Sequence, residues 1–284
     1  MNPGIYPNIT DDDYHASEGI SNSGLVIIAN RTPAHYLAQR ETPREPTPAL
    51  IDGKRIHRIV LEPERFASEF AVAPKFDMRK NVEKEAYAVW MTENAGRTPL
   101  TQQEYDKLHR IRDAVRQHPD AAPLLHSGRA EQSVYATDPE TGAPVRCRPD
   151  FDPDALPELV DLKSTLDASE DSFMGSAFKY NYHQQAAFYC DVYEWATGNR
   201  REFAFIAVEK EPPYAVNVFR ASPSLLSRGR QAYRTALDTY AECLRDNIWP
   251  AYPPGVKQLD IPVWAENMLQ AKDNDEIEGI SYVQ

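Results

Sequence analysis

Residues 143–151, APVRCRPDF, and residues 158–165, ELVDLKST, decide how this chain folds. In an extended strand successive side chains point to opposite faces. That period puts Arg146, Arg148 and Asp150 on one face of the first segment, with Val145 and Cys147 on the other. In the second segment it sets Asp161 and Lys163 side by side, about 7 Å apart along the strand, with Leu162 behind them. If the two segments pair, two carboxylates and one ammonium meet at one edge of a sheet.

Working outward, RAEQSVYAT (129–137) and the turn DPETG (138–142) supply a strand and a tight connection before that pair. After it come a helix over 179–197, a hairpin of REFAFIAVE (201–209) with YAVNVFR (214–220), and a long helix over roughly 223–247. Upstream the texture is helical. Residues 1–20 read as an extended arm, Ser21 or Ser23 caps a short helix, and Thr32 with Pro33 opens another. ETPREPTP (41–48) reads as a Pro-rich loop. Ile56, Ile59 and Val60 recur at helical spacing until Pro63 stops the run. The Lys/Glu-rich middle of 67–100 predicts an exposed helix. Thr101 and Glu104 form a capping box for a helix with Tyr105, Leu108, Ile111 and Val115 on one face. Helices followed by strands that alternate with helices predict an α/β domain: a central mixed β-sheet flanked by helices, with an N-terminal helical extension. The expected division of one domain is a helical part over 1–120, an α/β core over 121–250 and a tail over 251–284.

Composition narrows the setting. The longest apolar runs, Ala86 to Met91 and Phe203 to Val208, fall far short of the roughly 20 residues a membrane helix needs. Three widely spaced cysteines, Cys147, Cys190 and Cys243, form neither a disulfide framework nor a CxxC metal pair. With no basic, apolar leader, a cytoplasmic protein with no membrane partner is expected. The net charge of -12 weighs against a polyanionic partner, yet residues 51–150 balance 16 acidic against 16 basic side chains. Local potential, not net charge, steers a ligand.

Two carboxylates and a lysine suit phosphodiester hydrolysis. Magnesium binds hard oxygens, takes a few carboxylates and leaves room for water and phosphate. A nearby lysine can orient water and stabilise developing negative charge. The acid-x-Lys triplet alone is weak, since about 1.5 should arise by chance in a chain of this composition. Two occur, and the other, Asp52-Gly53-Lys54, precedes a helical run with no acid on a neighbouring strand. From spacing alone, Asp161 and Lys163 could equally be a solvated strand face with a weak ion pair. Gln185 and Tyr189 share a helix face, four residues apart, although Tyr189 could simply fill a helix–sheet interface. His57 could be a packing residue. Glu131, at the start of the first strand, could point to the same edge or be a surface charge.

Longer strings are more specific. His57 in HRIVLEPERF (57–66), Asp150 in CRPDF, Asp161 and Lys163 in VDLKST, and then Gln185 and Tyr189 resemble the RecB-like branch of the PD-(D/E)XK nucleases. GISNSGLVIIANRTPAHYLA (19–38), HSGRAEQSVYATDPETG (126–142) and IWPAYPPG (248–255) extend the likeness to the RecE-type exonuclease domain over most of the chain. The resemblance implies a PD-(D/E)XK restriction-endonuclease-like core and a phage or prophage exonuclease running 5′ to 3′ on linear double-stranded DNA ends. Its product would be 3′ single-stranded tails for recombination. By position it implies Asp150, Asp161 and Lys163 as catalytic residues. It also implies Mg2+, with Mn2+ as a substitute, held by His57, Asp150, Asp161 and the Leu162 backbone carbonyl. Gln185, Tyr189 and Glu131 would support the site and the DNA. Implied partners are a RecT-like single-strand annealing protein and further copies of the chain in a ring. Relatives with an iron–sulfur cluster use four cysteines, which excludes that subtype. A nuclease of other polarity, an endonuclease, or a non-catalytic DNA-binding relative are the competing expectations.

Overall fold

The structure is a computed structural model, and it describes residues 1–42, 45 and 47–270. Parts of the Pro-rich loop expected at 41–48 and of the tail expected at 251–284 therefore lie outside the described residues. Two compact units result, Met1–Ala251 and a second beginning at Tyr252. The second contains a helical stretch over 263–270.

The chain opens with β1 (Gly4–Tyr6), α1 (Asp11–Ala16), α2 (Asn22–Asn30), α3 (Pro33–Glu41), α4 (Pro48–Leu61), α5 (Pro63–Glu69) and β2 (Phe70–Val72). There follow α6 (Asn81–Glu93), β3 (Thr98–Leu100), α7 (Gln102–Gln117), α8 (Ala121–Leu124), β4 (Gly128–Ala130) and β5 (Ser133–Thr137). The rest is β6 (Pro144–Cys147), β7 (Phe151–Pro153), β8 (Glu158–Thr165), α9 (Glu170–Lys179), α10 (Tyr182–Thr197), β9 (Glu202–Glu209), β10 (Val216–Arg220) and α11 (Pro223–Asp246).

The central sheet runs β10-β9-β8-β7-β4, antiparallel except for the parallel pair β8 and β9. That parallel pair needs a crossover, which α9 and α10 supply. Side chains alternate across the sheet as the period demands. Leu159, Phe203, Phe205 and Ala207 join one core with α2, α10 and α11, while Val160, Leu162, Ala204, Ile206 and Val208 join another with α4, α7 and α8. Both faces are covered, so β9 reads as a nearly continuous apolar run, whereas β8 is interrupted by Asp161 and Lys163. Asp161 and Lys163, at odd positions, face α10. His57, on α4, approaches from the other layer.

Local signals account for many helix ends. Thr32 accepts from the His35 N–H ahead of Pro33, and the Thr101–Glu104 capping box forms with both of its bonds. Leu108, Ile111 and Val115 are buried, and α6 buries nothing, as an exposed Lys/Glu-rich helix should. At Gly229 of α11 an added Cβ would collide with the His183 carbonyl, so a glycine is needed for α11 to sit directly on α10. Among the described residues no helix is long and apolar enough to cross a membrane.

Four expectations need correction. The segment 143–151 is not one strand: it breaks at Arg148–Pro149–Asp150 into β6 and β7. The segment 129–137 breaks opposite it, at Glu131, into β4 and β5. Pro149 has no N–H to give a ladder, and Glu131 adopts a left-handed φ of 53°. The hairpin therefore bends, pairing β5 with β6 in a second sheet, β1-β5-β6, and β4 with β7 in the central one. Third, the helix expected over 179–197 begins at Tyr182, because Asn181 is left-handed (φ 58°) and separates it from α9. Fourth, the arm of residues 1–20 is tied down, with β1 pairing β5 and α1 capped by Thr10.

Candidate active site

The bend in the hairpin places its two break points together. The Glu131 N–H donates to the Asp150 carbonyl at 3.1 Å. Asp150 Oδ2 accepts from the Leu162 N–H of β8 at 2.7 Å and lies 3.4 Å from His57 Nδ1. Ligand atoms of His57, Glu131 and Asp150 all fall within 4.8 Å of one another. Three parts of the chain that are far apart in sequence thus converge, two from the bent hairpin and one from α4.

Asp161 and Lys163 form the other half. Asp161 is 1 % exposed, its Oδ2 lies 2.6 Å from Lys163 Nζ, and its Oδ1 accepts from Gln185 Nε2 at 2.5 Å. Gln185 Oε1 accepts from Lys163 Nζ at 3.0 Å, so one amide fixes both charged groups. Tyr182 lies 4.5 Å from the ammonium by its ring centroid.

The electrostatics show a site short of positive charge. Burial, then the neighbouring Asp161 charge, raises Asp150 well above the usual carboxylate range. Burial and the Asp150 charge push Glu131 up to about 7. Burial opposes the charged form of Lys163, but Asp161 and Asp150 outweigh it and hold the ammonium above its ordinary value. Burial lowers His57, which leaves a neutral imidazole free to ligate near neutral pH. A divalent cation fits this donor set. It would relieve the crowding of carboxylates, and hard oxygens with one imidazole suit magnesium or manganese.

An open cleft of about 360 Å³ gives access, lined by His57, Glu131, Leu162, Lys163, Ser164 and Tyr182, with Asp11 and Lys54 at its side. Each expected site residue can now be placed. His57, Glu131, Asp150, Asp161, Lys163, Gln185 and the Leu162 backbone gather here. Asp161 is not part of the compact trio, whereas Glu131 is. Tyr189 stays half-buried, packed edge-on to Phe203 and outside the cleft lining. Burial raises its phenol, with Asp161 and Asp150 among the smaller causes.

Arg146 and Arg148 do not share a surface with Asp150. Arg146 binds the Ser17 carbonyl, and Arg148 reaches the Ile9 and Thr10 carbonyls and Asp11 at 2.9 Å. Both guanidiniums lie against the Tyr14 ring. They clamp the N-terminal segment and so carry Asp11 to the cleft, where it pairs with Lys54 at 2.6 Å. By sequence Asp11 lies only in an extended arm, and Lys54 in a triplet with no acid on a neighbouring strand. Only long-range packing brings either one here.

This geometry and topology define a PD-(D/E)XK nuclease fold. Residues 21–258 match the model of a PDDEXK-like domain family of unknown function, DUF3799, and the chain belongs to that family. A comparison with curated proteins found no match. Among solved structures, a candidate exonuclease from Eubacterium rectale is similar at 14% identity and a TM-score of 0.59, covering 90% of this chain and 97% of its own. At that identity the likeness bears on the fold alone. A phage-related exonuclease from Haemophilus somnus (10% identity, TM-score 0.34, covering 83% and 99%) superposes too loosely to add to it. So does an alkaline exonuclease from Laribacter hongkongensis (11%, 0.30, covering 83% and 97%).

Proposed function

We propose that this chain is a divalent-metal-dependent deoxyribonuclease, acting as an exonuclease on linear duplex ends. The observation that carries this reading is the meeting of His57, Glu131 and Asp150 within 4.8 Å beside the Asp161–Lys163–Gln185 network. His57, Glu131, Asp150, Asp161 and the Leu162 carbonyl are the groups available to hold magnesium. When bound, the ion lowers the pKa of water and neutralises charge on the phosphate.

The chain's own residues do the rest. Asp161 keeps Lys163 protonated and Gln185 holds it in place, so a fixed positive charge faces the cleft where a phosphate oxygen gains negative charge. Such a charge costs no reorganisation at the moment of reaction. The Leu162 N–H locks one Asp150 oxygen and so orients the carboxylate. His57 stays neutral.

The likeness to RecE-type exonucleases favours 5′ to 3′ polarity, 3′ single-stranded products, a RecT-like annealing partner and a ring of several copies. The test is release of nucleotides from linear against circular duplex, with magnesium and with chelator. Release from linear DNA alone, abolished by chelator, is expected. Equal cutting of circles would make the chain an endonuclease, and full activity in chelator would overturn the metal-dependent reading.

A further inference from the structure

The cleft does not end at Lys163. Tyr182, the first residue of α10, lines it beneath the ammonium. Tyr180 lies next outward, its ring centroid 5.9 Å from that of Tyr182 and the planes tilted by 31°. Lys179 sets its ammonium 5.3 Å from the Tyr180 ring centroid. Phe178, at the end of α9, lies against His183 at 5.2 Å. Left-handed Asn181 turns the chain between the two tyrosines; Asn is one of the few residues that adopts this conformation readily. Tyr182 is partly buried, whereas Tyr180 is 55% and Phe178 58% exposed. Large apolar rings left in water next to a site call for an explanation more than scattered single ones do.

We propose that Tyr180 is a stacking platform for the bases of a single-stranded DNA segment that continues out of the cleft. The proposal rests on the nuclease reading of that cleft. Three observations choose this occupant over a protein. The rings continue directly from a residue of the cleft wall. Cations alternate with them, Lys163 beside Tyr182 and Lys179 beside Tyr180, as a strand with a phosphate at every base requires. The exposed surfaces are aromatic, and aromatic rings with a basic track bind single strands with little sequence preference. Bases paired inside a duplex have no free face to stack, so the segment must be unpaired.

The test is a scan of single abasic sites along a single strand about 12 nucleotides long, within the usual span of such sites. Affinity is read by fluorescence anisotropy in calcium. The wild-type chain should lose affinity by about 5- to 150-fold when the abasic site falls at one or two positions, the range that loss of a stacked base produces. Tyr180→Ala should show that loss on the intact strand and a flat profile across those positions. Tyr180→Phe and Tyr180→Trp should restore the dips, and the thermal midpoint should not move. A flat wild-type scan, absence of single-strand binding, or a Tyr180→Ala profile that keeps its dips would overturn the proposal. A change in the sedimentation of Tyr180→Ala would overturn it in favour of a contact between copies. Because binding is read without turnover, a chain that binds with this profile but never cuts DNA would defeat the nuclease reading alone.

Discussion

Strand β8 runs as eight regular residues, Glu158–Thr165, through the middle of the central sheet. The hairpin of β4 to β7 breaks on both arms, at Glu131 and at Pro149, and passes from one sheet to another. Both supply the cleft, in opposite ways. The strand offers Asp161 and Lys163 by simple alternation, each fixed by Gln185 from the helix above. The hairpin offers Glu131 and Asp150 from backbone that has left the ladder, where side chains can aim at a point no regular strand would reach. Charge follows the same division. The strand holds a compensated ion pair, whereas burial and the nearby Asp150 charge push Glu131 up to about 7 in the hairpin. A regular element here holds a fixed charge pair, and an irregular one brings carboxyl and imidazole groups to one point.

The sharpest way to break this contrast is to remove one carboxylate from each side. Asp150→Ala and Asp161→Ala should each abolish metal-supported cleavage while circular dichroism stays that of the wild type. If only the hairpin carboxylate mattered, Asp161 would be merely the partner of Lys163. Lys163→Ala should cost about 10²- to 10⁴-fold in rate, the range of a positioned proton-transfer or charge-stabilising group, with duplex binding retained. Lys54→Ala should cost far less, because its side chain is 64% exposed and its ammonium is paired to Asp11. Comparable losses in single-turnover rate would place Lys54 in the chemistry.

His57 tests the layer opposite. His57→Ala should raise the magnesium needed for half-maximal cleavage and change the melting temperature little. A clear drop in melting temperature with an unchanged metal requirement would make His57 a packing residue instead.

The smallest effect concerns Glu131. A carboxyl held at about 7 when folded and near its ordinary value when unfolded keeps a proton in the native state that the unfolded chain has lost. Its contribution is therefore fully present below the unfolded value and disappears as pH rises through about 7. Without metal, the melting temperature should fall between about pH 5 and pH 8, and Glu131→Gln should flatten part of that slope. Magnesium should reverse the fall, since a bound cation favours the ionised carboxyl. An identical slope in the variant would show that Glu131 is not the titrating group.

Much of the architecture was legible residue by residue. Alternation in ELVDLKST defined β8 to its ends and the shared face of Asp161 and Lys163. The capping box at Thr101 and the Pro at 33 marked helix starts, and the β9–β10 hairpin and α11 followed from their periodicity. These features rest on interactions a few residues long, which a sequence states directly. The breaks at Glu131 and Pro149 were not legible, because a proline in an apolar-alternating run marks a disturbance without saying which sheet each half will join. Nor was the placement of Asp11 beside Lys54, since Asp11 is carried there by Arg146 and Arg148 gripping a segment some 130 residues away. Sequence by itself determined β8, several of the longer helices and the residue types able to hold a cation. The tertiary structure alone decided that His57 meets Glu131 and Asp150 at one point, since that convergence needs the helical layer of α4 packed against the bent hairpin and the central sheet.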